Sequence, residues 1–215
     1  MPETNTLSRA MHDIGLAGWF GGSLMGAVGV NAAAGTVDES GQRARVANAG
    51  WARWTPVNAG FIAAHLVGAG RLTWANKGRF TAQKGVAGAT IAKGALTVAA
   101  LGATAYARIV GQRVIEAGDV PVESGTEPGA QTPSDIAQAQ RQLKALQWAI
   151  PGLTGGVLVL NALMGEQQRP KQVFSGIAER LAPPAALAGA AGSATTFLAA
   201  RRGKKRSRRR VYVRR

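Results

Sequence analysis

Residues 14–34 read IGLAGWFGGSLMGAVGVNAAA, a stretch without one charged side chain. At about 1.5 Å of rise per residue, a helix of this length spans roughly 30 Å, the thickness of a bilayer's hydrocarbon core. Inside it Gly15, Gly18, Gly22, Gly26 and Gly29 recur at spacings of three and four. They share one helix face, where a missing Cβ lets another backbone approach closely. The stretch predicts a transmembrane helix with a smooth packing face.

Outward from it lie further uncharged or nearly uncharged runs: residues 54–70, 87–107 with only Lys93, and 145–165 with Pro151 near its start. A fifth run, 181–200, opens on Pro183 and Pro184 and is mostly alanine, which is only weakly lipophilic. The expected fold class is therefore all-α, an integral membrane bundle of four transmembrane helices followed by a C-terminal interfacial or re-entrant helix, with five spans as the alternative. The domains expected are a four-helix membrane domain over 1–170, an amphipathic and Ala-rich segment over 171–200, and a disordered basic tail over 201–215. Gly60, Ala64 and Gly68 repeat the small-residue spacing on the second run. They predict that its small-residue face meets the glycines of the first, either within one monomer or across a homodimer. Burial of the runs in a soluble core and cleavage of the first as a signal peptide are the weaker readings.

The connectors carry the charge. Residues 35–53 are polar, and 71–84 hold Arg71, Lys77, Arg79 and Lys84 without an acid. Residues 117–133 are rich in Pro, Gly, Glu and Ser and predict a flexible outer loop, after which Ser134 suits a helix cap with Asp135 in the first turn. Basic residues inside and acidic ones outside place both termini in the cytoplasm. Trp51, Trp54, Trp74 and Trp148 fall near the ends of the runs, where interfacial aromatics belong.

With four spans in this order, His12, Asp13, His65, Lys93 and Asn161 come to one depth near the inner face. Ionisable groups in a span pair with one another, because isolation in hydrocarbon costs several kcal/mol. The expectation is an interior cluster in which Asp13 or His12 offsets Lys93, while His65 and Asn161 complete hydrogen bonds. It serves either to hold helices together or to relay protons; haem ligation by His12 and His65 is the remotest reading. The chain has no cysteine, which excludes disulfides and thiolate metal sites. It shows no phosphate loop, nucleophile elbow or HExxH helix. No cofactor or metal is expected, and nothing argues for enzymatic activity.

A net charge of +15 is concentrated in the last 15 residues, RRGKKRSRRRVYVRR. Arg201, Arg202, Lys204, Lys205, Arg206, Arg208, Arg209 and Arg210 suit anionic lipid at about 1 kcal/mol each, or nucleic acid as the lesser alternative. The strings HDIGLAGWFGGSLMGAVGVNAAA, GWARWTPVNAGFIAAHLVGAGRL, QWAIPGL and GEQQRP resemble small multi-pass membrane proteins of actinobacteria. That resemblance implies an inner-membrane address and brings no catalytic residue with it. The function expected is a non-enzymatic scaffold or accessory subunit, with a small transporter or proton-conducting protein and a nucleic-acid binder as alternatives.

Overall fold

A computed structural model describes residues 5–75, 77 and 86–166. The chain divides into Met1–Gln168 and Arg169–Arg215; the described residues all belong to the first unit. The expected amphipathic segment 171–200 and the basic tail 201–215 lie outside them.

Among the described residues the protein is all-helical, with four long rods. The first runs as α1 (Thr6–Met25), a π turn (Gly26–Val30) and α2 (Asn31–Gly35), with right-handed helical dihedrals at Gly26 and Asn31, so the rod is unbroken. Then come α3 (Ser40–Ala75), α4 (Val86–Glu116) and α5 (Ser134–Glu166). Two of these, Ala87–Glu116 and Ser134–Gly165, are long and apolar enough to cross a membrane. α1 packs chiefly on α3, and α4 on α5, while α1 also lies against α5. α3 and α4 touch little.

Two stretches expected as connectors are structured. Most of 35–53 is the first part of α3, and α5 begins at Ser134 with the Pro133 carbonyl accepting from the Ala137 N–H at 2.8 Å. The loop 117–133, expected to be flexible, is tied down. Val122 is buried in a cluster with Ala44, Val110, Val114, Ala139 and Leu143. The Thr132 hydroxyl donates to Pro121 O at 2.6 Å, and Gln140 Nε2 donates to Ser124 O at 3.1 Å. Arg43 donates to the carbonyls of Val37 and Val122, and Arg45 meets Asp119 at 3.3 Å. Glu127 pairs with Lys144. The acids that make the loop look like a linker are the partners of bases on α3 and α5, a pairing that composition alone does not reveal.

Proline is accommodated inside two helices. Pro56 in α3 and Pro151 in α5 each remove one N–H from the ladder. Hydroxyls beside them bond the local carbonyls: Thr55 to Trp51 O at 2.8 Å and Thr154 to Ile150 O at 2.8 Å.

Candidate functional site

The seam between α1 and α3 positions the polar groups at both of its ends. α3 presents Trp51, Trp54, Asn58, Phe61, His65 and Gly68, at spacings of three and four. α1 answers with glycine. A Cβ on Gly26 would collide with the Trp51 ring, one on Gly22 with the Trp54 ring, and one on Gly18 with the Phe61 ring. Further along, the contact becomes backbone on backbone. A Cβ on Gly15 would lie 2.5 Å from Phe61 O and His65 N, and one on Gly68 2.5 Å from His12 N. The rings are knobs, and the glycines are holes of matching size.

This arrangement corrects the expected packing face at three positions. Gly60 is exposed with nothing within 4 Å of an added methyl, and Ala64 is only half-buried, because the seam of α3 runs one residue later, through Phe61 and His65. Among the described residues, a Cβ on Gly29 meets only Met25 of its own rod. The π turn supplies the reason: its extra residue rotates the next helical turn off the seam, so Val30 rather than Gly29 approaches Gly50. Trp51 and Trp54 are likewise packing knobs, whereas Trp74 and Trp148 are 74% and 52% exposed.

The same rotation aims Asn31 inward. Its Oδ1 accepts from Trp51 Nε1 at 3.1 Å and its Nδ2 donates to Gln147 Oε1, so one amide joins α2, α3 and α5. Gly125 of the loop rests on it, with 2.5 Å from a would-be Cβ to Asn31 Oδ1. Sequence reading missed Asn31 and Gln147 as site-forming residues. A lone Asn near the end of an apolar run was the available signal, since buried amides need partners.

At the other end of the seam, the structure brings together His12, Asp13, His65 and Lys93. His12 is 3% exposed and His65 1%, and their rings lie 4.5 Å apart, tilted by 42°. His12 Nδ1 is 2.8 Å from Asp13 Oδ1, and Lys93 Nζ is 3.4 Å from His12 Nε2. An ammonium can only donate, so Nε2 of His12 accepts and its proton sits on Nδ1, donated to the carboxylate. His65 Nδ1 lies 3.1 Å from the His12 carbonyl; a carbonyl only accepts, so His65 is also protonated on Nδ1. The result is a chain, Lys93 to His12 to Asp13, in which a neutral imidazole bridges a cation and an anion. Such a chain can pass a proton from Nζ to Nε2 as Nδ1 releases one to the carboxylate.

Asn161 does not join the cluster; its Nδ2 is buried without a partner among the described residues. The two histidine rings touch in a tilted arrangement, with 4.5 Å between their centres and no room for a macrocycle. Among the described residues no group of three or more His, Cys, Asp or Glu could hold a metal ion. Beyond the cluster, toward the loop end, comes an apolar layer of Leu16, Trp19 and Ala100, all fully buried. Trp19 Nε1 donates to Thr104 Oγ1 at 3.3 Å, and its ring is 6.3 Å from that of His65.

No protein family, curated protein or solved structure matches the chain.

Proposed function

We propose that the chain is a multi-pass protein of the bacterial inner membrane whose four rods all span, with both termini cytoplasmic, and that it works as a non-enzymatic scaffold or accessory subunit. The membrane reading is supported by what the bundle leaves outside. Val28, Val67, Ile91, Val98, Val159 and Leu163 are each at least half exposed, and such a spread of large apolar side chains over all four rods belongs in lipid. The charges of the connectors supply the orientation. The basic tail, from Arg201 onward, is assigned to anionic lipid headgroups on the same side as the termini.

The observation that carries the scaffold reading is the α1–α3 seam. Three rings seated in glycine gaps and two backbone contacts fix one helix against the other, so the bundle presents rigid apolar faces to neighbouring proteins. Two measurements test it. Single cysteines at Ser124, Thr81 and Ser207, labelled from outside intact cells, are expected to react only at Ser124; reaction at Thr81 overturns the topology. Crosslinking in native membranes is expected to trap the chain with a membrane-protein partner in fixed stoichiometry. Recovery only as the free 22.2 kDa chain overturns the scaffold role.

A second reading, a small proton-conducting protein, is favoured by one observation: the continuous Lys93–His12–Asp13 chain. The Leu16–Trp19–Ala100 layer would then be its closed gate. Proton flux in liposomes under a pH gradient, lost in His65→Ala and His12→Gln, would establish this reading. Flux equal to that of empty vesicles would dismiss it.

A further inference from the structure

The four rods form two pairs, α1 with α3 and α4 with α5, and between the pairs α3 and α4 touch little. The bonds that cross from one pair to the other are spread unevenly along the bundle. At the loop end they are dense. Asn31 on α2 bonds Gln147 on α5, Arg45 on α3 meets Asp119, and Arg43 donates to the carbonyl of Val122. The Val122 side chain is itself buried among residues of α3, α4 and α5. Midway, Trp19 donates to Thr104 and shares a buried apolar cluster with Ala100, Ile150 and Val157. At the histidine end the described link is Lys93 Nζ to His12 Nε2, at 3.4 Å long for a bond from an ammonium. Toward the same end of α5, Asn161 Nδ2 is buried with no partner among the described residues. One end of the bundle is tied, and the other is held by a clasp.

That clasp depends on a lone pair. His12 carries its proton on Nδ1, toward Asp13, and accepts from Lys93 at Nε2. A second proton goes to Nε2. An N–H then faces an ammonium, neither group can accept, and two cations at this distance repel, most strongly where water is excluded. The groups around the ring do not offset the change. His65 faces it from α3 and Lys93 from α4, with Asp13 beside it and exposed Arg9 one turn earlier on α1. α5 has no charged residue between Lys144 and Glu166. With His12 neutral, the charges of Lys93 and Asp13 balance; with His12 charged, the cluster holds one positive charge too many for a buried site. The Asp13 side chain is 59% exposed, so the cluster reaches solvent at this end.

We propose that the bundle is a proton-operated clasp, in which the two helix pairs are hinged at the loop end and protonation of His12 releases Lys93, letting the histidine end open. The pairs move as units, because backbone contact at Gly15 and Gly68 locks α1 to α3. Opening hydrates both cations and leaves Asp13 with the imidazolium. The clasp needs neither a protein partner nor a proton current, so crosslinking and flux results leave it standing.

The test uses the full chain in nanodiscs of uncharged phosphatidylcholine, with pairs of spin-labelled cysteines introduced into a chain that has none. All label sites are exposed: Leu66 with Ile91 across the pairs at the histidine end, Val46 with Ile115 across them at the loop end, and Ile91 with Leu163 within one pair. Distances are read by pulsed electron paramagnetic resonance at about pH 8 and about pH 5, on either side of the ordinary imidazole pKa of about 6.5. On acidification the Leu66–Ile91 distance is expected to lengthen by about 5 Å, the scale of a large helix shift, while the other two stay fixed. His12→Gln keeps an acceptor that cannot become a cation, and Lys93→Met removes the repelled charge; each should abolish the response. His65→Gln should retain it. A Leu66–Ile91 distance that ignores pH in the wild-type chain would overturn the proposal, and that reading needs no variant to fold. Lengthening at both ends together would mean general loosening and would overturn the hinge. A response that survives His12→Gln and vanishes in His65→Gln would move the switch to the wrong histidine and overturn it as well.

Discussion

α3 has two faces with opposite characters. Toward α1 it is sealed: rings fill glycine gaps, and at Gly15 and Gly68 the two backbones touch. Toward α4 it is open, and a space of about 230 Å³ separates the helices. Tightness comes from the pairing of unlike residues, glycine against aromatic, at matched spacing. Small residues alone do not produce it: a Cβ added to Gly102 on α4 or Gly60 on α3 meets nothing within 4 Å among the described residues. A glycine repeat permits an approach, and the partner's side chains decide whether that approach happens.

The largest expected effect comes from breaking the sealed face. In Gly15→Ala the new methyl would stand 2.5 Å from two backbone atoms of α3, and no rotamer change relieves a clash with backbone. Helices forced apart lose the neighbouring ring contacts as well. We expect destabilisation of about 3 kcal/mol or more, beyond the usual range for overpacking, seen as loss of a monodisperse peak in detergent. A melting temperature within a degree of wild type would show that the rods are not in backbone contact.

Next in size is the histidine end of the same face. Lys93→Met removes the donor to His12 Nε2, leaving a buried acceptor unpaired. The cost is about 1–3 kcal/mol, and Lys93→Arg is expected to recover part of it. Thermal unfolding in detergent measures both. Unchanged stability in Lys93→Met would mean that the ammonium lies out at the interface, and would remove the bridging role of His12.

Much of this architecture was legible in the sequence, and the illegible parts share a cause. Helical class, the run of glycines on α1 and the gathering of His12, Asp13, His65 and Lys93 follow from local spacing and from counting depth along alternating helices. Three features depend on relations that spacing within one helix does not contain. The π turn shifts the seam by one residue, which Gly26–Val30 gives no local sign of beyond its lack of a bulky residue other than valine. The folded loop 117–133 needs Arg43, Arg45 and Lys144 as partners from elsewhere in the chain. The cavity exists because α3 and α4 each pack on a different helix. Asn161 shows the limit of depth counting: a residue at the predicted level can still lie off the cluster.

The open face offers an effect of the opposite sign. Gly111→Leu fills space that the fold leaves empty, and replaces a helical glycine. Cavity filling gives about 0.5–2 kcal/mol of stability. A higher melting temperature than wild type is therefore expected, in contrast to the collapse of Gly15→Ala on the other side of the same bundle. A lower one would show that the gap closes on a smaller space than the structure gives.

The smallest effect separates packing within one chain from packing between copies. Gly60 faces away from α1, so Gly60→Ala touches nothing among the described residues. Removing a glycine from a helix interior lowers the cost of ordering the backbone by about 0.5–1 kcal/mol. A slight rise in melting temperature is expected, independent of protein concentration. If instead a second copy packs on this face of α3, Gly60→Leu will lower stability in a concentration-dependent way and shift the particle mass in detergent toward the monomer. That result would give the glycines of α3 a use between chains, while those of α1 serve within one.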